Sequence, residues 1–473
     1  MPLPDLIEIV PLTGSVCAEI TVPGFKSITN RALVLAALAE GETILRGALW
    51  SEDTQVMTDA LQELGFMVNV APDPAEPCNR TITVYGLGGR VPRGGTADQP
   101  LELFVGNAGT AARFLTAMVC LGHGAYRLHG TPRMHERPQA ALFAALRQLG
   151  YRVDAPQDRL PAVVHGGGPR AGHCTVSIEE SSQFASALLL SERAGNWSVV
   201  VTGENADESP YVALTAKLRE SFPLQGGVFQ VEPDASSGSY FWAASMWGVG
   251  ERRMLPPWLG GRDVEQIEAG MLIRVTHWPE SGWQVDEGFR DIAAVLASRS
   301  RVFLGAPPPG LSKNGPEPVI PASPPRLAIS RQNDLGDAIM TAIVLAPFLV
   351  EPIRFTHLGR LRLQECERVQ ALRTELTKCG AAVAEHGDTL TVYPSDLHGA
   401  EIETYNDHRM AMCFAVLGLK VPGIRLRNPA CVKKSFPNFF QKLAAAPPDG
   451  LGATILDARS GQRLAIDALF ADY

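Results

Sequence analysis

Six segments of the chain share one pattern, in which small or polar residues lead directly into a run of apolar residues at helical spacing. Ser, Asp and Asn are good helix N-caps, and Gly lets the backbone approach a ligand closely. Each run is apolar on nearly all sides, so it predicts a buried helix. The starts are Lys26-Ser27, Gly106 to Thr110, Ser181 to Gln183, Ser236 to Ser239, Gly336-Asp337 and Asn406 to Arg409.

A second pattern predicts amphipathic helices that end at a glycine and continue into an alternating strand. It ends at Gly65, Gly150 and Gly380, with a weaker copy ending at Phe222. Each repeat would then hold one buried helix, one outer helix and several short strands. Six such repeats, in two sets of three, predict an α/β protein of two similar domains.

Composition and charge argue against several classes of protein. The 473 residues are 45% hydrophobic with a net charge of −8, and no basic stripe is present, which argues against a nucleic-acid partner. The eight cysteines show no metal-ligand spacing and predict reduced thiols and no metal site. The N-terminus lacks the features of a signal peptide, and the longest apolar run, Ile339 to Val350, is too short to span a membrane. We therefore expect a cytoplasmic protein.

Two segments fall outside the repeats. Residues 302–325 are rich in proline and are expected to form an exposed loop. Residues 447–473 are expected to form a C-terminal extension with one short helix.

The repeated helix starts predict an anion site, because the first N–H groups of a helix are unpaired and carry partial positive charge. Cations stand at several starts or in nearby loops. Taken alone, each feature has a simpler interpretation: a loop Arg is usually a surface charge, a Ser pair is usually a cap, and His408 could be structural. Their recurrence in one structural position favours a site for phosphate and carboxylate groups. The cations are Lys26, Arg31, Arg113, Arg133, Arg368, Arg409 and Lys434.

The motifs at these positions resemble, in order along the chain, those of the 5-enolpyruvylshikimate-3-phosphate synthase family. The resemblance covers about residues 20 to 440 and is very specific. The motifs are P-G-x-K-S-x-x-N-R-A (Pro23 to Ala32), G-N-A-G-T-A-x-R (Gly106 to Arg113), P-R-M-x-x-R-P (Pro132 to Pro138), S-S-Q-F (Ser181 to Phe184), S-P-Y (Ser209 to Tyr211), D-A-S-S-x-S-Y-F (Asp234 to Phe241), Y-N-D-H-R-M-A-M (Tyr405 to Met412) and C-x-x-K-S-F-P (Cys431 to Pro437).

The resemblance implies the enolpyruvyl transferase fold: two domains, each an inside-out α/β barrel of three βαβαββ units, with the active site between them. Domain one would comprise residues 1–23 and 248–446, and domain two residues 24–247. The crossings between the domains are expected near Gly24 and near Trp247.

The resemblance also implies a reaction. The family transfers the enolpyruvyl group of phosphoenolpyruvate to the 5-hydroxyl of shikimate 3-phosphate, releases phosphate, and works by addition and elimination through a tetrahedral intermediate. This step belongs to chorismate and aromatic amino-acid biosynthesis. The family needs no metal or organic cofactor, and a monomer is its usual state.

Roles follow by position in the matching motifs. As catalytic groups the resemblance implies Lys26, Asp337, Glu365 and His408, with Asp337 accepting the hydroxyl proton and Glu365 protonating the methylene carbon. The phosphoenolpyruvate set is Lys26, Asn107, Gly109, Arg133, Gln183, Arg368, Arg409 and Lys434. The shikimate 3-phosphate set is Lys26, Ser27, Arg31, Ser181, Ser182, Gln183, Ser209, Tyr211, Asp337, Arg360 and Gln364.

The chain departs from the family pattern on the acceptor side. The usual N-x-R-x-K-E-x-x-R segment has Arg360 in place of Asn and Gln364 in place of Lys. Arg360 could replace the lost charge. Phe25 and Phe114 are further departures, in positions where Ser and Pro are common.

Three alternatives stay open at this point. UDP-N-acetylglucosamine enolpyruvyl transferase shares fold and donor, but it normally has Asn at the position of Ser27 and a reactive Cys in the loop that here reads TPRMHERP. A non-catalytic relative would have lost acid–base groups, whereas Lys26, Asp337 and Glu365 are present. A transferase with a different acceptor is compatible with Gln364 and Arg360.

Overall fold

The computed structural model describes residues 3–203, 209–247, 272–301, 325 and 327–471. The chain divides into two units. Unit 1 comprises Met1–Val22 and Asp234–Tyr473, and unit 2 comprises Pro23–Pro233. The first crossing lies beside the predicted boundary at Gly24.

The second crossing lies between Pro233 and Asp234, and not near Trp247 as predicted. The reason is that the apolar run from Ala235 to Trp247 is buried in the core of unit 1. Its last residue, Trp247, donates a hydrogen bond of 3.0 Å from Nε1 to the carbonyl of Val416 in that unit. The boundary therefore falls before this run.

The helices and strands follow in chain order. Unit 1 begins with β1 (Leu6–Ile9) and β2 (Cys17–Ile20). Unit 2 contains α1 (Lys26–Leu38), β3 (Glu40–Leu49), α2 (Glu52–Glu63), β4 (Met67–Pro72), β5 (Asn79–Leu87), β6 (Leu101–Phe104), α3 (Gly109–Met118), β7 (His123–His129), α4 (Pro132–Glu136), α5 (Ala140–Gln148), β8 (Arg152–Asp154), β9 (Ala162–Gly167), β10 (Gly172–Ser177), α6 (Ser182–Gly195), β11 (Trp197–Thr202), α7 (Ser209–Ser221) and β12 (Gly227–Gln230).

Unit 1 resumes after the second crossing. It contains α8 (Ala235–Ala244), β13 (Leu272–Val275), α9 (Phe289–Ser298), β14 (Leu327–Ser330), α10 (Ile339–Leu345), β15 (Ile353–Thr356), α11 (Arg368–Lys378), β16 (Val383–His386), β17 (Thr389–Val392), β18 (Glu401–Ile402), α12 (His408–Gly418), β19 (Ile424–Arg427), α13 (Phe439–Ala444) and β20 (Ile455–Asp457).

One sheet pattern recurs in the described residues. The strand orders are β12-β3-β5-β4 and β6-β7-β9-β8 in unit 2, and β14-β15-β17-β16 and β18-β19-β1-β20 in unit 1. In each sheet the first pair is parallel and the other two pairs are antiparallel. Parallel pairs also form between β10 and β11 and between β13 and β2. The repeat inferred from the sequence is therefore present as a repeat of sheets and helices.

The six predicted helix starts open the helices at the centre of each unit. In unit 2, α1, α3 and α6 pack against one another, and in unit 1 α8, α10 and α12 do the same. Nearly every residue of α1, α3, α8, α10 and α12 is buried, as are nine of the 14 residues of α6. Burial on all sides is what their apolar sequence predicts.

The glycine stops are also confirmed. Gly65, Gly150 and Gly380 follow α2, α5 and α11 and have φ angles of +90°, +83° and +93°. Glycine adopts this left-handed conformation without the steric penalty of a side chain.

The C-terminal residues differ from the prediction. β20 pairs antiparallel with β1, with Ile7 opposite Asp457, so this segment completes a sheet of unit 1. The predicted short helix is a 3-10 turn at Ile466–Leu469. A three-residue strand is too short for its alternation to be recognised in the sequence. The Pro-rich segment 302–325 lies, apart from Pro325, outside the described residues.

No helix among the described residues is long and apolar enough to cross a membrane. In the same part of the chain, no group of three or more His, Cys, Asp or Glu side chains could hold a metal ion.

Candidate active site

Lys26 is the first residue of α1 and forms an ion pair with Asp53, with Nζ 3.1 Å from Oδ2. Asp53 lies in the first turn of α2, is buried, and was not predicted from the sequence. The signal that could have found it is the N-cap Ser51, which marks the start of α2. The Lys26 side chain stays 20% exposed, so its ammonium group can also reach a ligand.

Arg31 is buried among the helices of unit 2. Its guanidinium donates to Thr215 Oγ1 (2.8 Å), Ser186 Oγ (3.0 Å) and the carbonyl of Ser27 (2.9 Å), and it stacks on Phe114 at 5.2 Å. These contacts join α1 to α3, α6 and α7. They explain an arginine in an apolar helix and fix its position next to Ser27.

Three side chains from separate segments converge on Gly109, the first residue of α3. A Cβ at this position would lie 2.6 Å from Arg137 Nη2, 3.0 Å from Arg113 Nη1 and 3.0 Å from Gln183 Oε1. A side chain at this position would therefore displace the ends of Arg137, Arg113 and Gln183. Burial, and next the neighbouring Arg137, lower the pKa of the Arg113 guanidinium. Two cations held this close favour an anion between or beside them.

Polar atoms beside these cations have no partner among the described residues. Gln183 Oε1 and Asn107 Oδ1 are buried without a hydrogen bond. An unpaired buried acceptor costs about 1–3 kcal/mol, so a ligand donor or a bridging water is expected there.

The structure places Arg133 at the surface. Its side chain is 55% exposed and pairs with Glu136 at 2.7 Å. Arg137, four residues later, instead reaches Gly109 and donates to the carbonyl of Asn107 at 3.1 Å. Arg133 lies inside the short helix α4 and Arg137 follows its end, which places the two side chains differently. The two arginines of one motif could not be told apart by spacing.

The predicted serines stand at the start of α6. Ser181 is the N-cap, and its Oγ accepts from Gln183 N at 3.2 Å. Ser182 is the first helical residue and is buried. Tyr211 is half-buried in the first turn of α7. The side chain of Ser209 lies outside the described part of the chain.

In unit 1, Asp337 lies just before α10 with its carboxylate among three arginines. Oδ2 is 2.9 Å from Arg409 Nε, and Oδ1 is 3.5 Å from Arg331 and 3.6 Å from Arg368. Burial alone would raise the pKa of Asp337, but Arg409, Arg368 and Arg331 outweigh it and hold this pKa well below its ordinary value. The three arginines therefore keep this carboxylate ionised. Arg331 was not predicted from the sequence.

Arg368 is the centre of this cluster, with a side chain that is 1% exposed. It pairs with Asp407 (Nε to Oδ2, 2.7 Å) and with Glu365 (Nη2 to Oε2, 2.8 Å), and it donates to Gln364. Asp407, which the sequence suggested only as a helix start, is also the N-cap of α12 and accepts from Arg409 N at 2.9 Å. One carboxylate thus contacts the guanidinium of Arg368 and caps the helix that carries Arg409.

Glu365 has a cation on each oxygen, because Lys434 Nζ lies 3.0 Å from Oε1 and Arg368 occupies Oε2. The Glu365 side chain is 21% exposed and so remains accessible. His408 is the first residue of α12 and is buried, with Nδ1 3.7 Å from Asp407. Most of the predicted residues of unit 1 therefore form one connected cluster, which comprises Asp337, Glu365, Arg368, Arg409, Lys434 and, through Asp407, His408.

Of the two acceptor-side departures, Gln364 contacts this cluster. Gln364 places Nε2 3.4 Å from Asp337 Oδ1. Arg360 is half-buried in the 3-10 segment Gly359–Leu363.

Comparison with known proteins agrees with these motifs. The family model of EPSP synthase (3-phosphoshikimate 1-carboxyvinyltransferase) matches residues 11–250 and 322–443. The curated 3-phosphoshikimate 1-carboxyvinyltransferase of Trichormus variabilis is 34% identical over 460 residues, covering 93% of this chain and 98% of the relative. That of Opitutus terrae is 35% identical over 473 residues, covering 94% and 98%.

Solved structures share the fold. An EPSP synthase from Acinetobacter baumannii superimposes with a TM-score of 0.64 at 20% identity, covering 95% of this chain and 99% of that chain. The enolpyruvyl transferase NikO from Streptomyces tendae gives 0.61 at 17% identity, covering 96% and 99%. With its motifs, its repeated sheets and its full-length relatives in agreement, this chain belongs to the EPSP synthase family.

Proposed function

We propose that this protein transfers the enolpyruvyl group of phosphoenolpyruvate to the 5-hydroxyl of shikimate 3-phosphate, giving 5-enolpyruvylshikimate 3-phosphate and phosphate. This is the activity of its family, and it serves chorismate and aromatic amino-acid biosynthesis. The observation that carries the proposal is the cluster of Asp337, Glu365 and Arg368, which combines two accessible carboxylates with buried guanidinium groups.

The donor is proposed to bind through groups that suit phosphate and carboxylate oxygens. The guanidinium fork matches such oxygens, and a buried pair of arginines binds them strongly. Arg137 takes the place first expected for Arg133, because Arg137 lies beside Gly109. The proposed donor residues are Lys26, Asn107, Gly109, Arg137, Gln183, Arg368, Arg409 and Lys434.

The acceptor is proposed to bind through the helix starts of unit 2 and through groups near Asp337. N-terminal N–H groups and Ser hydroxyls suit a phosphate. Arg31 contributes by fixing Ser27, to whose carbonyl it donates. The proposed acceptor residues are Lys26, Ser27, Arg31, Ser181, Ser182, Gln183, Ser209, Tyr211, Asp337, Arg360 and Gln364.

In the addition step, the 5-hydroxyl oxygen bonds to the central carbon of the donor while Asp337 accepts the hydroxyl proton. Glu365 acts in its protonated form and delivers its proton to the methylene carbon. In the elimination step the carbon–oxygen bond to phosphate breaks and Glu365 takes the proton back. Lys26 and His408 are proposed to stabilise charge in the intermediate. Arg368 and Arg409 hold the pKa of Asp337 low, so a donor carboxylate that engages them would make Asp337 a stronger base.

The activity is tested by measuring phosphate release from phosphoenolpyruvate and shikimate 3-phosphate with the purified protein. We expect release that depends on both substrates and a product identified by mass spectrometry. A folded protein that releases no phosphate with this pair would contradict the proposed function.

We expect Arg137→Ala to raise the KM for phosphoenolpyruvate by about 10- to 100-fold, because a charge-assisted contact contributes roughly 1.5–3 kcal/mol. Arg133→Ala is the matched control, from the same motif, and should leave this KM within about twofold, as is usual for an exposed ion pair. Steady-state kinetics at varied phosphoenolpyruvate concentration measure this KM for both variants. A larger effect at Arg133 would restore the assignment made from the sequence.

We expect Gln364→Lys to lower the KM for shikimate 3-phosphate about tenfold, because it adds a charged donor where the family usually has one. The effect on the KM for phosphoenolpyruvate should be small. An unchanged acceptor KM would mean that Arg360 already supplies the charge. Arg360→Ala in the parent chain would then raise the acceptor KM.

Finer features are proposed on the same resemblance. In each unit the packing of three central helices supports an inside-out α/β barrel. We further propose a cytoplasmic monomer that needs no cofactor. Sedimentation analysis and an assay in the presence of chelator test the last two points.

A further inference from the structure

Asp286 contacts the turn that carries Asp337. It lies in the 3-10 segment Val285–Gly288 between β13 and α9 and is 6% exposed. Its Oδ1 accepts from Gly336 N at 2.6 Å, and its Oδ2 accepts from Ala338 N at 3.1 Å. Gly336 and Ala338 are the two neighbours of Asp337. One buried carboxylate therefore holds the peptide N–H groups on both sides of the proposed base.

The same segment holds a second helix start. Gln284 Oε1 accepts from Ala235 N, the first residue of α8, at 2.9 Å. Ser236, the next residue of α8, donates its hydroxyl to Asp286 Oδ2. Residues 284 to 286 thus connect the start of α8 to the turn before α10.

We propose that Asp286 is a positioning residue, which sets the place of the Asp337 carboxylate by clamping the backbone on either side of it. The hydrogen bonds of the Asp286 side chain described above go to Ser236, Gly336 and Ala338. None of these three residues belongs to the proposed substrate-binding sets. Its effect on the reaction passes through Asp337. The inference therefore rests on the proposed role of Asp337.

The distances around Asp337 make the position of its carboxylate sensitive to movement of the turn. Asp337 has Arg409 at 2.9 Å, whereas its contacts with Gln364, Arg331 and Arg368 are 3.4–3.6 Å long. A turn freed from Asp286 would let the carboxylate shift among these cations. A displacement of about 1 Å in a reacting group can lower a rate by about 10²-fold.

Electrostatics add to the effect. Burial raises the pKa of Asp286, its hydrogen bond with Ser236 lowers this pKa, and the like charge of Asp337 raises it. Neutralising Asp286 would leave Asp337 with fewer nearby negative charges and so a weaker base. Both effects are expected mainly in kcat, because Asp337 is the one proposed acceptor contact that they change.

The test is Asp286→Asn, which keeps the shape of the side chain. It replaces one carboxylate oxygen, which accepts a hydrogen bond, with an amide NH₂ group that faces a backbone N–H. We expect kcat to fall by about 100-fold with both KM values within about threefold. Ser236→Ala is the control, since it removes a bond to Asp286 and keeps both bonds to the turn; its kcat should stay within about threefold of the parent value. A wild-type kcat in a less stable Asp286→Asn protein would show a purely structural role and overturn the proposal.

Two further variants cover other outcomes. If Asp286→Asn does not fold, Gly336→Ala places a methyl group 3.2 Å from Asp286 Oδ1 and disturbs the same contact more gently, and an unchanged kcat would reject the proposal. In an Asp337→Asn background, Asp286→Asn should lower kcat less than about threefold further, because residues acting as one unit are not additive. Full additivity would contradict action through Asp337. Unchanged turnover of Asp337→Asn alone would instead refute the role of Asp337.

Discussion

Replacing Glu365 with Gln should lower kcat by about 10²- to 10⁴-fold, the usual contribution of a positioned general acid. Gln keeps the size and an acceptor oxygen of Glu but cannot deliver a proton to carbon. Arg368 and Lys434 now contact the two carboxylate oxygens at 2.8 and 3.0 Å, and both cations remain in the variant. The KM values should therefore stay within about threefold, since substrate contacts are retained. Steady-state and single-turnover assays measure both quantities.

Glu367→Gln is the matched control for this experiment. Glu367 is two residues away and pairs with Arg362 at 2.6 Å, outside the cluster around Arg368. It also caps α11 by accepting from Gln370 N, so its loss should cost about 1 kcal/mol of stability and little turnover. Equal loss of kcat in the two variants would show that the effect of Glu365 is structural.

Asp337→Asn should lower kcat by a similar factor of about 10²–10⁴, because an amide cannot accept the hydroxyl proton. It should also destabilise unit 1 at neutral pH, since three arginines lose a shared anion; breaking a buried pair costs on the order of 3 kcal/mol. Arg368 keeps Asp407 and Glu365 as partners, which limits the loss.

The stability difference between wild type and Asp337→Asn should depend on pH in one direction. The pKa of Asp337 is lowered in the folded protein, so its stabilisation is fully present above the ordinary aspartate pKa of about 3.9 and is lost as pH falls toward the folded value. Urea unfolding of both proteins at pH 7 and at lower pH measures this. A difference that stays constant below pH of about 3.9, or grows, would contradict the low pKa.

Much of the fold and several residues of the cluster could be predicted from the sequence, because they lie at helix starts. Buried helices are apolar on all sides, and their first residues stand out as a break in that pattern. Gln183, Asp337 and Arg409 were found this way. The glycines that end helices, Gly65, Gly150 and Gly380, could also be predicted, because a residue in the left-handed conformation is usually glycine.

What could not be read depends on contacts between distant segments. Asp53, Arg331 and Asp286 stand in ordinary local sequence, and only folding brings them to Lys26 and to the turn of Asp337. Arg133 and Arg137 share one motif, and their exposure was decided by a single short helix. The boundary at Pro233 was missed because an apolar run shows that a helix is buried but not in which unit.

The position of β1 between β19 and β20 has a consequence for how the chain folds during synthesis. The sheets described in unit 2 draw their strands from residues 23–233 alone, so they can form once this stretch has left the ribosome. β1 pairs with residues 424–427 and 455–457, and its sheet can close only when almost the whole chain has been made. Pairing over such separations is slow. Unit 2 is therefore expected to fold first. Until β19 and β20 have been synthesised, β1 stays unpaired and is exposed to proteases and chaperones.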